Sequence, residues 1–250
     1  GPRVLVADDN EDNRKIFRFV LEDAGAEVTT VENGREALDA LQLGEDEEQP
    51  YEVVFLDMSM PVLDGYEAAR LYRKQGGKRR VVALTAFSMT TDRDKCIASG
   101  CDGYLTKPIR PDALVRAAVK YGGGGDQVAA GAGAGVDQMG ENGPPIEGRL
   151  SLEASQDYED LLAVFRDVLG QRMEQIWQAF KEGNADRLRV LVHKLKGSSG
   201  CYGFTDLTAV LSDCESALRS GQLIGSLASE LQEVDRLVEI VRGGGGDAME

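Results

Sequence analysis

Three carboxylates, a hydroxyl and an amine in the N-terminal half could act together. Asp8 and Asp9 follow one short apolar run, Asp57 ends another, and Thr85 and Lys107 each follow a further run. If these runs are parallel strands, their carboxyl ends meet at one edge of the sheet. Crowded carboxylates raise each other's pKa, and a divalent cation with oxygen ligands, Mg²⁺ or Mn²⁺, would relieve the repulsion. Thr85 and Lys107 could then hold an anion at Asp57, which indicates phosphoryl transfer.

Each of these residues also has an ordinary structural explanation. Asp8 and Asp9 could cap the helix that follows them, Thr85 could simply end a strand, and Lys107 could be a solvated surface lysine. Taken by itself, the stretch around Asp57 suits the start of a turn as well as a reactive carboxylate. Because all five residues follow strands, their joint placement favours the chemical interpretation.

The only histidine, His193, is a second candidate for chemistry. At about 100° per residue it falls roughly 150° from the apolar stripe of its helix, which predicts an imidazole that faces solvent. Gly197 and Gly200 lie on the same face, although glycine inside a helix costs about 1 kcal/mol relative to alanine, and they leave room for a partner. Lys196 adds a cation one turn away. A neutral imidazole is a competent nucleophile at pH 7, although an exposed histidine without a function has the same spacing.

The totals exclude several classes of function. The net charge of −15 argues against binding to nucleic acid or to an anionic membrane surface. No apolar run is long enough to cross a membrane. The four cysteines form no Cys-x-x-Cys pair, which predicts reduced thiols and a cytoplasmic setting. A single histidine excludes a His-rich metal site within one chain.

Strands and helices alternate over residues 1–121, which predicts a doubly wound α/β domain with a five-stranded parallel sheet. The strands are expected at 4–7, 27–31, 53–56, 81–84 and 103–106.

Two other α/β classes fail on the same residues. A flavin or dinucleotide fold needs a glycine-rich or hydroxyl-rich phosphate loop after the first strand, where this chain has the acidic run 8–12. An aspartate-nucleophile phosphatase of the dehalogenase type resembles Asp-x-Asp at its nucleophile, where Ser59 replaces the second acid.

The rest of the chain divides into three parts. Residues 122–148 are rich in glycine and lack apolar periodicity, which predicts a flexible tether whose ~25 residues span roughly 25–30 Å. Residues 149–243 carry four amphipathic patterns separated by short breaks, which predicts an antiparallel four-helix bundle whose last helix runs from about 223 to 241. Residues 244–250 are predicted to be a disordered tail.

The N-terminal motifs together resemble the receiver domain of two-component response regulators. The resemblance runs from about Arg3 to Tyr121, within a predicted domain of residues 1–121, and rests on Asp8-Asp9, Asp57-Met-Ser-Met-Pro61, Asp64-Gly65, Thr85-Ala86 and Lys107-Pro108. It implies a flavodoxin-like fold in which Asp57 is the phosphoacceptor. It further implies that Asp9, Asp57 and the Ser59 carbonyl ligate Mg²⁺ directly, whereas Asp8 acts through water.

Three further roles follow from this resemblance. Thr85 and Lys107 would contact the phosphoryl oxygens. The bond between Lys107 and Pro108 would be cis. Tyr104 would be the aromatic switch that turns inward on activation, although Tyr104 taken alone is readily explained as a core residue.

The segment from His193 to Ser199 resembles the motif His-x-x-Lys-Gly-Ser/Ala-Ser/Ala of histidine phosphotransfer (Hpt) domains, which are four-helix bundles. Residues 184–186 and 203–207 fit the same family. The resemblance implies that His193 is phosphorylated, with Lys196, Gly197 and Gly200 supporting the transfer.

The two resemblances predict a phosphorelay protein. A sensor histidine kinase would donate to Asp57, and the group would pass to His193 of the same or a neighbouring chain and then to a downstream response regulator. In-line transfer requires an open approach to Asp57 and an exposed imidazole. This sequence has no ATP-binding motif and no kinase domain, so we expect it to be the C-terminal, cytoplasmic part of a hybrid sensor histidine kinase, which leaves open whether the chain is itself an enzyme. The alternative is a phosphorylation-independent interaction module, which would not need all of these residues.

Overall fold

The computed structural model describes residues 1–45, 50–86, 90–122 and 156–244. The chain divides into two compact units, Gly1–Ser151 and Leu152–Glu250. The predicted tether from residue 123 onward, the predicted start of the helical domain at 149–155 and the predicted tail at 245–250 lie outside the described residues.

A five-stranded parallel sheet forms the centre of the N-terminal unit, as the alternating pattern predicts. The strands are β1 (Arg3–Ala7), β2 (Glu27–Val31), β3 (Val53–Asp57), β4 (Arg80–Thr85) and β5 (Gly103–Thr106). Their order in the sheet is β2-β1-β3-β4-β5, and all four neighbouring pairs are parallel. The chain reverses its winding beside β1, so the carboxyl ends of β1 and β3 flank a crevice.

Helices cover both faces of this sheet, and the apolar runs of the central strands are therefore buried on both sides. The helices are α1 (Glu11–Asp23), α2 (Gly34–Glu45), α3 (Gly65–Lys74), α4 (Thr90–Ala98) and α5 (Pro111–Gly122). Among them, α1 packs against α5, and α2 packs against α3.

The second unit is a bundle in which each helix packs on its sequence neighbours and the last packs on the first. Its helices are α6 (Gln156–Lys181), α7 (Ala185–Cys201), α8 (Thr205–Arg219) and α9 (Ala228–Arg242). The predicted last helix is wrong at its start, because a 3₁₀ turn at Ile224–Leu227 precedes α9. This turn places Leu227, which is fully buried, in the core. No helix in the described part of the chain is long and apolar enough to span a membrane.

The turn between α7 and α8 sets how these two helices face each other. Gly203 adopts a positive φ of 86°, which L side chains rarely tolerate. On either side of it, Tyr202 and Phe204 stack on Phe165 of α6, with ring centroids 4.2 and 5.9 Å apart. The turn is thereby anchored to the core, and α8 runs back along α7.

Candidate functional site

The three acidic residues meet at the carboxyl edge of the sheet. Ala7 of β1 lies in register with Leu56 of β3, so Asp8 and Asp57 leave neighbouring strands side by side. One carboxylate oxygen from each of Asp8, Asp9 and Asp57 lies within 4.8 Å of the others. Asp8 and Asp9 are not helix caps, because Asn10 caps α1 by accepting a hydrogen bond from the Asp12 backbone.

Lys107 reaches this acidic cluster from the end of β5. Its Nζ lies 2.8 Å from Asp8 Oδ2 and 2.7 Å from Asp57 Oδ2. Its side chain is 8% exposed, so it is not the solvated surface lysine of the alternative explanation. Burial alone would lower the pKa of Lys107, but Asp57 and Asp8 raise it above its usual value, and the amine stays cationic.

The Asp57 carboxylate lies in a recess. Its side chain is 4% exposed and in contact with Lys107, so the carboxylate is less open than the sequence predicts. Oδ1 accepts a hydrogen bond of 3.1 Å from the Ser59 backbone. Burial, together with the charge of Asp8, raises the pKa of Asp57 to about 6, while Lys107 opposes the increase.

The turn after β3 requires the pair Asp64-Gly65. Asp64 caps α3, since its Oδ1 accepts a hydrogen bond of 2.8 Å from the Glu67 backbone. A Cβ atom on Gly65 would lie 2.2 Å from the Asp57 carbonyl oxygen, which is too close for any side chain at this position. Glycine therefore lets α3 begin directly beside the acidic cluster.

Thr85 ends β4, and Tyr104 lies on β5, the strand that leads to Lys107. Thr85 is 3% exposed at the end of β4, and its carbonyl accepts a 2.7 Å hydrogen bond from the Lys107 backbone. The bond between Lys107 and Pro108 is cis, as expected. Tyr104 is 8% exposed and belongs to the apolar cluster between the sheet and its helices, so its ring is buried.

His193 is held on α7 by a residue of α8. Its Nδ1 lies 2.8 Å from Glu215 Oε1. The side chain is 28% exposed, so it is reachable but does not face solvent as freely as its helical position predicts. Gly197 and Gly200 lie further along α7, which runs through both, and each is partly exposed.

Glu215 is a residue of the histidine site that the sequence analysis missed. It is 4% exposed, and it also accepts hydrogen bonds from Lys196 and, at 2.7 Å, from Arg219. Burial pushes the pKa of Glu215 upward, but the hydrogen bonds from His193 and Lys196 outweigh it and hold the pKa at about 2. The sequence carried one signal for this residue: Glu215 follows the apolar stripe of α8, within one turn of Leu211 and Cys214, which both lie in the core.

Comparisons with known proteins match a known domain family to each of the two units. Residues 4–119 match the response regulator receiver domain, and residues 160–243 match the Hpt domain. The chain therefore contains a response regulator receiver domain and an Hpt domain, the two domains of phosphorelay signalling. It is 30% identical to the sensor histidine kinase GacS of Pseudomonas protegens, over 95% of this chain and 26% of that protein. It is 26% identical to the signal transduction histidine-protein kinase BarA of Escherichia coli (strain K12), over 96% of this chain and 26% of that protein.

Among solved structures, the chain is similar to the receiver domain of sensor histidine kinase PA1611 from Pseudomonas aeruginosa PAO1, which has a magnesium ion coordinated in its active site cleft. The identity is 32% over 48% of this chain and 97% of that one, with a TM-score of 0.43. This phosphorelay chain spans about a quarter of the length of its curated relatives GacS and BarA. The predicted family, fold class and role in phosphorelay signalling are confirmed.

Proposed function

We propose that Asp57 accepts a phosphoryl group from a phosphohistidine of a sensor histidine kinase and exchanges it with His193, which passes it to a downstream response regulator. In the first step the P–N bond of the donor breaks and a P–O bond to Asp57 forms. The surroundings of Asp57 support this proposal most directly. Its carboxylate lies 2.7 Å from the buried amine of Lys107, at the edge of the sheet where the winding reverses. With a pKa of about 6, it is mostly ionised, and hence nucleophilic, at pH 7.

The acidic cluster also fits a divalent cation. Three carboxylates meet there against one lysine, so negative charge remains in excess, and oxygen donors alone suit Mg²⁺. Asp9, Asp57 and the Ser59 carbonyl would hold the ion directly, and Asp8 would hold it through water. The ion would neutralise charge on the phosphoryl oxygens. Mn²⁺ suits the same donors.

The other residues of the cleft would act on the transferred group. Lys107, already cationic, would shift part of its contact from the carboxylates to a phosphoryl oxygen, and the Thr85 hydroxyl would donate to another. Tyr104 would be the aromatic switch that turns inward when Asp57 is phosphorylated.

On the bundle, Glu215 would fix the protonation of His193. An ionised carboxylate only accepts hydrogen bonds, so Nδ1 of a neutral imidazole must carry the proton. Nε2 then keeps its lone pair for attack on phosphorus. Lys196 and Arg219 would supply cations to the phosphorylated imidazole, and Gly197 and Gly200 would admit the partner's surface.

Labelling of the full chain tests this proposal. Incubation with Mg²⁺ and a small acyl phosphate should give a base-labile label that Asp57→Asn abolishes. A phosphorylated histidine kinase should in addition produce an acid-labile, base-stable label that His193→Gln abolishes. Label that persists unchanged in both variants would exclude the relay.

We further propose that the chain is the C-terminal part of a hybrid sensor histidine kinase and works in the cytoplasm. The relatives GacS and BarA, about four times as long, support this assignment. None of the four cysteines forms a disulfide, which agrees with a reducing compartment.

A further inference from the structure

Asn13, in the first turns of α1, lies under the acidic cluster and is 1% exposed. Its Nδ2 lies 3.2 Å from both carboxylate oxygens of Asp8. The Asn10 backbone donates to Asp8 Oδ1 at 2.9 Å, and Lys107 donates to Oδ2 at 2.8 Å. Asp8, which is itself fully buried, is therefore surrounded by protein donors on both oxygens.

The other half of the Asn13 amide is not satisfied in the same way. Its Oδ1 is buried and has no hydrogen-bond partner among the described residues. A buried acceptor left without a partner is destabilising, whereas an apolar side chain of similar size would not carry that cost. The contact of the amino group with the buried Asp8 carboxylate explains why an asparagine nevertheless stands at this position.

We propose that Asn13 is a positioning residue that acts on the divalent cation through Asp8. By donating to both oxygens, it prevents rotation of the carboxylate. Asp8 is thereby held in the one orientation from which it would contact the ion through water, while Asp9 and Asp57 would be the direct ligands. This inference rests on the proposed metal site, and it predicts weaker binding when the amide is lost, since partners of metal ligands typically contribute about 10–100-fold to affinity.

The test compares the full native chain with Asn13→Leu, which keeps most of the volume and removes the donor. We expect the dissociation constant for Mg²⁺, measured by calorimetry, to rise about tenfold or more. The Mg²⁺ concentration that half-saturates Asp57 labelling should rise by the same factor, while the rate at saturating Mg²⁺ stays within about twofold. A residue that only supports the fold would not separate these two quantities.

Asn33→Ala is the matched control. Asn33 caps α2 by accepting 3.0 Å hydrogen bonds from the backbones of Arg35 and Glu36, so its loss should lower the melting temperature without touching Asp8. Its Mg²⁺ affinity should remain native. If Asn13→Leu does not fold, Asn13→Ala provides the same comparison with a smaller side chain.

Three outcomes would overturn the inference. Native affinity in the Asn13 variants, or an equal loss in Asn33→Ala, would remove the role of Asn13 and leave the proposed function intact. A native chain that is phosphorylated on Asp57 without binding Mg²⁺ would remove both the inference and the metal site. The rise in melting temperature on adding Mg²⁺ gives an independent readout of each affinity.

Discussion

At the scale of single residues, both sites contain a buried charge that is shared by several groups of opposite charge, but the sign of the shared charge differs. In the cleft, one cation, Lys107, is shared by the carboxylates of Asp8 and Asp57. In the bundle, one carboxylate, Glu215, is shared by His193 and two cations. A buried charge that loses its partners is strongly destabilising. Rotation of Asp57 or His193 away from its partner is therefore unfavourable, and each side chain is held in one orientation.

Glu215 gives a prediction about pH. Its folded pKa of about 2 lies below its usual value of 4.5, so the carboxylate stabilises the bundle above pH 4.5, and this stabilisation disappears as the pH falls towards 2. After allowance for solvent screening, we expect Glu215→Gln to lose about 2 kcal/mol at pH 7. The difference from the native chain should shrink steadily below pH 4.5.

Urea unfolding followed by the fluorescence of Trp177 measures this effect. Trp177 is the only tryptophan in the chain and lies in α6, so its signal reports on the bundle. Glu233→Gln, which removes an exposed ion pair with Arg236, is the control and should change little at any pH. A stability difference in Glu215→Gln that does not depend on pH would contradict the electrostatic explanation.

At the scale of elements, the reactive residues of the cleft lie where strands end, whereas His193 lies within α7. β3 ends at Asp57, and α3 begins eight residues later at Gly65 in contact with the Asp57 carbonyl. Parallel strands bring such junctions to one edge, so residues far apart in sequence form one cleft. The pattern of strands and helices could be predicted because burial on both faces leaves short apolar runs. The 3₁₀ turn before α9 could not, because its cause is the fit of Leu227 into the core.

Gly65→Ala tests this junction. The added Cβ would lie 2.2 Å from the Asp57 carbonyl oxygen, so α3 or β3 must shift, and we expect a loss of about 2–3 kcal/mol. Gly122→Ala, in α5 of the same unit, would meet its nearest atom at 3.7 Å and should be neutral or slightly stabilising. Thermal unfolding followed by circular dichroism compares the two, and equal stability of both variants would show that the junction tolerates a side chain.

At the scale of the whole molecule, one chain carries both an aspartate site and a histidine site. The sequence predicts that a flexible tether joins them, which would give each site an effective concentration for the other in the mM range. Transfer between Asp57 and His193 of one chain should therefore be faster than transfer between chains when the protein is at about 1 µM.

Mixing the two single variants tests this expectation. In the mixture, His193→Gln can only donate from Asp57, and Asp57→Asn can only accept on His193. We expect transfer in a 1 µM mixture to be about a thousandfold slower than in the native chain, and the native rate to be independent of protein concentration. Equal rates in both preparations, rising together with concentration, would show that the group passes between chains.

The sequence by itself determined the two domains, the strand ends, and the placement of Asp8, Asp9, Asp57, Thr85 and Lys107 at one edge, because these follow from local apolar patterns and parallel winding. Only the tertiary structure decided which groups surround the reactive atoms. Glu215 reaches His193 across 22 positions, Asn13 turns its amino group to Asp8, and Asp57 lies recessed at 4% exposure. Such contacts depend on how helices and strands pack, and the periodicity of one element carries no record of the side chains that another element brings against it.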